Sequence, residues 1–211
     1  MHSANVIKKQ IKRVPEILWP TQAFIRFWIK RRKFFVHFVS KLALSVFYRV
    51  SLETILRSAF ESVSGREQVQ MMRVRRRHIW QDALRTFSKK DFQPGSLLSV
   101  QFIGEEAADL GGPRREFLRL LMRSLLTDSG VLTGCDSRKT FTSNPMLVAK
   151  ESYFQGGQMV ATSLMQGGPG LKCLSPAVYS YICGDVATCW HLLDLEDIAN
   201  GELQEKVRQV L

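Results

Sequence analysis

The sequence lacks paired cysteines and long hydrophobic runs, and each absence excludes a class of protein. Its 211 residues include four cysteines, at positions 135, 173, 183 and 189, without Cys-X-X-Cys spacing or a recognisable secretory signal. A disulfide framework is therefore not expected, and we predict a reducing compartment, the cytoplasm or the nucleus. The most apolar stretch, Phe34 to Tyr48, contains His37 and Lys41. Because a spanning helix requires ~20 apolar residues, no transmembrane helix is expected.

Motifs for metal and phosphate binding are also missing. Cys183, Cys189 and His191 lie close together, but a structural zinc site needs four ligands, usually as two close pairs, and the second pair is absent. We interpret the cysteines as buried thiols. The run from Gly167 to Gly170 is followed by no Lys-Ser/Thr pair and forms no G-x-G-x-x-G motif, so it predicts a turn. No metal ion or organic cofactor is implied.

What the sequence does contain is a hydrophobic fraction of 45%, enough for a folded core, and a net charge of +11 that is unevenly distributed. Residues 1–90 carry 20 basic and 5 acidic side chains, whereas residues 91–211 carry 10 and 14. The polar run around Gly65 marks a boundary. We therefore predict an unassigned basic N-terminal extension over residues 1–65 and a folded domain over residues 66–211.

The basic extension leaves two interpretations open. It places aromatic residues beside basic ones: Trp28, Phe34, Phe35 and Phe38 next to Lys30, Arg31, Arg32 and Lys33. Such a segment would suit an anionic membrane surface. A solvated or packed extension is the alternative that we favour, because many charge runs are merely solvated.

A helix is predicted from Gln68 to about Ser88, where apolar residues fall near one helical face: Val74, Ile79, Ala83 and Phe87. A basic cluster opens this helix: Arg73, Arg75, Arg76 and Arg77. Such a cluster could act as a nuclear-import signal or a nucleic-acid patch, but interleaved stacking aromatics are absent. We interpret the cluster as a solvated helix face.

A strand and a second helix are predicted next. The alternation of Leu98, Val100 and Phe102 with their neighbours predicts a strand from Leu97 to Ile103. An acidic loop follows, and Pro113 then begins a helix to about Leu126. Its core-facing residues are Phe117, Leu121 and Leu125, and its exposed arginine stripe is Arg115, Arg119 and Arg123. The stripe could dock an acidic partner, but we favour a solvated surface near Glu105, Glu106 and Asp109.

The sequence of the C-terminal half predicts a minor hairpin followed by helices. The hairpin is expected around Val131 to Thr142, and Asn144-Pro145 starts a helix. A buried helix contains Tyr153 to Met165, with Gly156 and Gly157 indicating a close helix crossing or a break. Three short helices are expected after it: Ser175 as N-cap to about Cys183, Val186 to Leu193, and Glu202 to Val210. The predicted class is α+β, mostly helical with a few short strands.

Three segments together resemble the N-terminal lobe of a HECT domain, the catalytic domain of one class of ubiquitin-protein ligases. They are IWQDALRTFSKKDF, LLSVQFIGEEAADLGGPRREFLRLLMRSLL and YFQGGQMVATSLMQGGPGLKCLSPAVYSYICG. The most specific element runs from Phe102 to Phe117, where the Gly-acid-acid opening, the pair Gly111-Gly112 and the triplet Arg115-Glu116-Phe117 match in order. The resemblance covers about Arg73 to the C-terminus.

The resemblance implies a ubiquitin-protein transferase whose partners are ubiquitin and a ubiquitin-conjugating enzyme. In the family, ubiquitin is first accepted as a thioester on a cysteine in a separate C-terminal lobe, and the conjugating enzyme docks on a late subdomain of the N-terminal lobe. We expect this chain to stop before both, as a fragment not competent alone. A transthiolating cysteine should be exposed and activated by polar or cationic groups, and we expect none of the four cysteines to be so placed. No catalytic residue is assigned.

Three functions therefore compete. The first is a truncated HECT-type ligase. The second is a non-catalytic module that binds a partner or competes with a complete ligase through exposed apolar surface. The third is binding of acidic membrane or nucleic acid by the basic extension.

Overall fold

A computed structural model describes residues 69–93, 95–105, 111–182 and 186–210, together with 53, 54, 57, 58 and 61. Contacts divide these residues into two compact units. The core unit comprises described residues from 53 to 130 and residues 151–171, and the hairpin unit comprises residues 131–150 and 172–210. The predicted membrane-surface segment, Trp28 to Phe38, lies outside the described residues. The extension over 1–65 therefore stays a prediction.

Helices outnumber short strands, so the predicted α+β class is confirmed. The elements in chain order are β1 (Val69–Val74), α1 (Ile79–Phe87), β2 (Leu97–Phe102), α2 (Gly112–Thr127), β3 (Leu132–Thr133), β4 (Thr140–Phe141), α3 (Pro145–Ala149), α4 (Ser152–Met165), α5 (Pro176–Ile182), α6 (Val186–Cys189) and α7 (Gly201–Val210). Short 3-10 helices lie at Arg76–His78 and Leu195–Asp197.

The core unit is built around a parallel strand pair. β1 and β2 align with Val69 opposite Leu97 and Val74 opposite Phe102. One face of the pair is buried and packs with α1, α2 and α4 around a shared hydrophobic core. Since α1 connects two parallel strands, β1-α1-β2 is a crossover unit of the kind that parallel pairing requires. The predicted strand Leu97 to Ile103 is confirmed as β2.

The predicted helix Gln68 to Ser88 is wrong over its first half, which forms β1. Met72 and Val74 are buried while Met71 and Arg73 are exposed, an alternation with the period of a strand. Pairing with β2, 28 residues further along the chain, stabilises this segment as a strand rather than a helix. The second half is confirmed as α1, whose residues Ile79, Ala83 and Phe87 are buried.

The helices α2 and α4 cross closely on the buried face. Pro113 lies in the first turn of α2, and Phe117, Leu121 and Leu125 are buried, as predicted. A Cβ added at Gly156 would lie 3.3 Å from Leu125 Cδ1. Gly156 therefore marks a close helix crossing, and α4 continues through Gly156 and Gly157 without a break.

The predicted turn after α4 is confirmed. Gly167 has a φ of 74°, a conformation that a side chain disfavours. A Cβ added at Gly168 would lie 2.5 Å from Ser163 Oγ and 2.9 Å from Leu118 Cβ. The turn therefore lies so close to α2 that Gly168 has no room for a side chain.

The side chain of Gln166, at the end of α4, holds the start of β2. Its Oε1 accepts a hydrogen bond from Leu98 N at 3.1 Å, and its Nε2 donates to Ser96 O at 3.1 Å. Both contacts lie on the edge of β2 that faces away from β1, because the opposite edge is engaged in the ladder. One amide thus satisfies two backbone groups of an edge strand.

In the hairpin unit, β3 and β4 pair antiparallel, with Leu132 opposite Phe141, as predicted. Asn144 Oδ1 accepts a hydrogen bond from Met146 N at 3.0 Å and caps α3, confirming the predicted start. The three later helices are also present, each shorter than or close to its predicted bounds.

A partly buried ion pair joins the hairpin to the 3-10 helix at Leu195–Asp197. Arg138 donates to Asp197 through Nε at 3.0 Å and Nη2 at 2.9 Å, and also to Leu192 O at 3.1 Å. Only 4% of the Asp197 side chain is exposed. A bidentate pair of this kind fixes orientation as well as position.

Candidate functional site

The carboxyl ends of β1 and β2 meet at one edge of the core unit. Ile103 N donates to Val74 O at 2.9 Å, which keeps the two strands together beyond the last paired residues. Gly104, with a φ of 88°, then turns the chain away. Arg75 and Arg76 follow β1, and Glu105 follows β2. Polar residues after adjacent parallel strands are thereby brought together, as at the ligand-binding ends of larger parallel sheets.

Arg76 is the centre of this edge. Its Nη2 donates to Glu105 Oε2 at 3.0 Å while Nε contacts the other Glu105 oxygen. Its Nη1 reaches Glu116 Oε1 at 3.3 Å, and its guanidinium carbon lies 4.1 Å from the centroid of the Phe102 ring. Glu116 also accepts from Arg119 Nε at 2.9 Å. We call these five residues the Arg76 cluster.

The cluster is charged at neutral pH. Arg76 lowers the pKa of Glu105 through its hydrogen bonds, and Arg119 followed by Arg76 lowers the pKa of Glu116. Glu105 raises the pKa of Arg76. Because both carboxyl pKa values are depressed on folding, their contribution to stability is present above the unfolded-state value of about 4.3 and is lost as pH falls through the folded-state values.

A second ion pair, between Arg75 and Asp82, connects the end of β1 to α1. Asp82, in the first turn of α1 and 4% exposed, accepts from Arg75 N at 2.9 Å, Nε at 3.0 Å and Nη2 at 2.6 Å. Arg85 Nη1 adds a contact of 3.3 Å. Arg75 is the main cause of the lowered pKa of Asp82. The pair fixes the turn from β1 into α1 and so holds Arg76 in place.

The interpretation of the early arginines as a solvated helix face is therefore wrong for three of them. Arg75 and Arg76 form ion pairs, and Arg73 lies on strand β1 with Nε 3.3 Å from Gln101 Oε1. Arg77 is exposed, as expected. The acceptors Asp82, Glu105 and Glu116 are 7, 29 and 40 residues away from their arginines. A pattern confined to the arginine run could not have indicated them.

The predicted arginine stripe on α2 is exposed, as expected. Arg115, Arg119 and Arg123 all face solvent. Arg119 pairs with Glu116 of its own helix rather than with the loop acids, and Glu105 pairs with Arg76. Glu106 and Asp109 lie outside the described residues. Of the three stripe arginines, Arg119 belongs to the Arg76 cluster.

The described cysteines differ in solvent exposure and in the direction of their thiol pKa shifts, whereas the sequence predicted that all would be buried. Cys189 is buried, as expected, and burial raises the pKa of the half-buried Cys173 thiol. Cys135 is exposed, and a hydrogen bond with Ser137, whose Oγ lies 3.5 Å from the sulfur, lowers its pKa. The expectation of buried thiols without an activating context is thus wrong for Cys135, which lies in the hairpin turn. Cys183 lies outside the described residues.

The hairpin unit contains a small cavity of about 30 Å³. Its walls are mostly apolar and aromatic, and Ser175 and Asp197 also line it. Ser175 is fully buried, and its Oγ has no hydrogen-bond partner among the described residues. The predicted N-cap role of this hydroxyl is therefore wrong, although α5 does begin at Pro176. A space of this size holds one or two water molecules.

The described residues contain no candidate metal site and no candidate membrane-spanning helix. No group of three or more His, Cys, Asp or Glu side chains is placed to hold a metal ion within residues 69–210 as described. No described helix is long and apolar enough to cross a bilayer. The Arg76 cluster consists of guanidinium, carboxylate and phenyl groups, whose ion pairs and ring contact hold chain segments in position.

Comparison with curated proteins finds E3 ubiquitin-protein ligases. A G2/M phase-specific E3 ubiquitin-protein ligase of Gallus gallus is 26% identical over 140 residues, 63% of this chain and 18% of that protein. The protein of the same name in Homo sapiens is 29% identical over 118 residues, 54% of this chain and 16% of that protein. E3 ubiquitin-protein ligase UPL1 of Arabidopsis thaliana is 35% identical over 133 residues, 59% of this chain and 4% of that protein.

No family model matches the chain. The chain spans less than a fifth of the length of these curated relatives. Over about half of its own length it is distantly similar to E3 ubiquitin-protein ligases.

Proposed function

We propose that residues 66–211 form part of the N-terminal lobe of a HECT-type E3 ubiquitin-protein ligase, and that the chain engages the ubiquitination machinery without carrying ubiquitin itself. The observation that carries the proposal is the Arg76 cluster. It joins both ends of the segment Phe102 to Phe117, which holds the most specific sequence resemblance, to the turn after β1.

The cluster supports a scaffolding role. A half-exposed guanidinium that holds two carboxylates and stacks on a ring gives bidentate, oriented contacts. These contacts fix Glu105 and Glu116, which lie on either side of the undescribed residues 106–110. Loops held at both ends by rigid elements are common positions for partner contacts.

The three described thiols, Cys135, Cys173 and Cys189, favour a role without a covalent step. Ubiquitin acceptance needs an exposed thiolate, and the thiolate is disfavoured at Cys173 and inaccessible at Cys189. Cys135 is exposed with a lowered pKa, yet its described partners are Ser137 and the local backbone rather than a general base. We therefore propose that Cys135 is not a ubiquitin acceptor.

Binding provides the first test. The chain is immobilised, and ubiquitin is passed over it in biolayer interferometry. We expect saturable binding. Arg76→Ala should weaken that binding at least fivefold because the segment between Glu105 and Glu116 loses its anchor, whereas the exposed neighbour Arg77→Ala should stay within twofold. Absence of ubiquitin binding by a folded chain would contradict the proposal.

Transfer provides the second test. The chain is incubated with activating enzyme, conjugating enzyme, ATP and ubiquitin, and the products are separated with and without reductant. We expect no reductant-sensitive adduct on the chain. An adduct that disappears in Cys135→Ser would show that the hairpin thiol accepts ubiquitin and would overturn the scaffolding assignment.

A further inference from the structure

The outer edge of β1 is open. Among the described strands, β1 pairs with β2 alone. Val74 O accepts a hydrogen bond from Ile103 N, so the backbone groups of Val74 and of every second residue before it point towards β2. The N–H and C=O groups of the residues in between point away from β2: Val69, Met71 and Arg73. These outward groups have no hydrogen-bond partner among the described residues.

The side chains along this edge are exposed, and two of the three are apolar. Val69 is 57% exposed and Met71 is 73% exposed, the largest exposed fraction among the large hydrophobic side chains of the described residues. Arg73 is also exposed, but its Nε lies 3.3 Å from Oε1 of Gln101, which is its neighbour on β2. This contact draws the guanidinium towards β2. An extended chain that approaches the middle of the edge therefore meets Met71 rather than a charge.

The edges of β1 and β2 differ in how they are protected. Gln166 binds backbone groups at the start of the β2 edge. On the β1 edge the first occupied backbone group after the strand is Arg75 N, which donates to Asp82. The strand itself contains no proline and pairs with β2 in continuous register, without a bulge. An edge without these devices is a template for pairing with another strand.

The edge of β1 is complementary to itself. In an antiparallel pair of two β1 strands with a two-fold axis at Met71, each Met71 lies opposite its counterpart and each Val69 lies opposite Arg73 of the other copy. Because the backbone groups of all three residues point outward, each opposed pair exchanges two hydrogen bonds. The two arginines are four residues apart along the strands, about 14 Å, so like charges do not oppose each other.

We propose that two copies of this chain associate through their β1 edges, so that the two strand pairs form one four-stranded sheet in the order β2-β1-β1-β2. The pairing satisfies the open backbone groups of β1 and covers Met71 with its counterpart. A second copy fits better than an unrelated strand because the side chains of β1 complement one another in this register. The interface is isologous and therefore closes at a dimer. This inference goes beyond the proposed function and does not depend on it.

Disulfide trapping tests the register. Met71→Cys is made in the full chain together with Cys135→Ser, which removes an exposed native thiol. Opposed residues of a hydrogen-bonded antiparallel pair have Cα atoms about 5.5 Å apart, within disulfide range. Mild oxidation should therefore link two copies through the introduced thiols, as identified by mass spectrometry of the linked peptide. Val69→Cys in the same background should link at least tenfold more slowly, because its two thiols lie about 14 Å apart along the strands.

Sedimentation equilibrium measures the association itself. We expect the wild-type chain to form a reversible dimer. Met71→Lys places two like charges at the axis, and Met71→Pro removes the central N–H without removing a hydrogen bond from the ladder with β2. Each should raise the dissociation constant of the dimer at least tenfold, and Met71→Lys alone decides if Met71→Pro loses its far-ultraviolet circular dichroism. Met146→Lys, at a methionine that is 62% exposed in the hairpin unit, should stay within twofold of wild type.

Three results would overturn the proposal. The first is a folded wild-type chain that stays monomeric up to about 1 mM, because the β1 edge would then not bind a second copy. The second is a dimer whose dissociation constant is unchanged by Met71→Lys, which would place the interface elsewhere. The third is equal rates of disulfide formation for Met71→Cys and Val69→Cys, which would show collision rather than a fixed register.

Discussion

Replacing Asp82 by Asn should destabilise the core unit through loss of one buried charge. The carboxylate is 4% exposed and accepts three hydrogen bonds from Arg75 and a longer one from Arg85. Asparagine keeps the shape and one acceptor oxygen but removes the charge that both guanidiniums face. Hydrogen bonds to charged groups contribute about 1.5–3 kcal/mol, so we expect a loss of about 2 kcal/mol in the free energy of unfolding at pH 7.

The pH dependence gives this prediction a distinctive signature. The folded-state pKa of Asp82 is depressed by Arg75, so its contribution is present above the unfolded-state pKa of about 3.9 and is lost as pH falls through the folded-state value. The difference between wild type and Asp82→Asn should therefore be the same at pH 7 and pH 5. It should shrink only below about pH 4, where Asp82 in the unfolded wild-type chain binds a proton that the folded chain does not yet bind.

Urea unfolding followed by far-ultraviolet circular dichroism measures the difference, with the slope of each transition showing whether both units unfold together. Asp91→Asn is the matched control, because Asp91 is exposed. It should stay within about 0.5 kcal/mol of wild type. Equal stabilities for the two variants, or a deficit of Asp82→Asn that persists unchanged at pH 3, would refute the assignment of Asp82 as the buried anchor.

Two further predictions concern a glycine and a thiol. Gly168→Ala should destabilise the chain by about 1–3 kcal/mol, since its Cβ would lie 2.9 Å from Leu118 Cβ, whereas Gly112→Ala, with open space around it, should be neutral or slightly stabilising in the same urea titration. Iodoacetamide at pH 7.5 should alkylate Cys135 at least tenfold faster than Cys189, and Ser137→Ala should slow Cys135 by removing the hydrogen bond that lowers its pKa. Comparable rates at the two thiols, or no effect of Ser137→Ala, would contradict this account of the hairpin turn.

Local signals in the sequence predicted much of the fold. Alternating residues identified β2, Pro113 placed the start of α2, and Asn144-Pro145 placed the start of α3. In each case the information lies within a few residues, as hydrophobic period or capping chemistry. The strand β1 was missed because Val74 fits both a strand and the helical stripe of α1, and only pairing with β2 distinguishes the two.

The candidate site was not predictable in the same way. Arg76 looks like any other residue of a basic run until the fold brings Glu105 and Glu116 to it. The hydroxyl of Ser175 has the sequence context of an N-cap, yet the side chain is buried without a partner among the described residues. Both outcomes depend on contacts between segments that are distant in sequence, which a single sequence does not contain.

The amide of Gln166 also limits what can assemble on the core unit. An exposed strand edge offers its backbone groups to any other extended chain, which is the first step of edge-to-edge aggregation. Gln166 already occupies the amide of Leu98 and the carbonyl of Ser96 on the edge of β2 that faces away from β1. An incoming strand would have to displace this side chain before pairing, so the beginning of that edge is blocked against self-association by a single residue at the end of a helix.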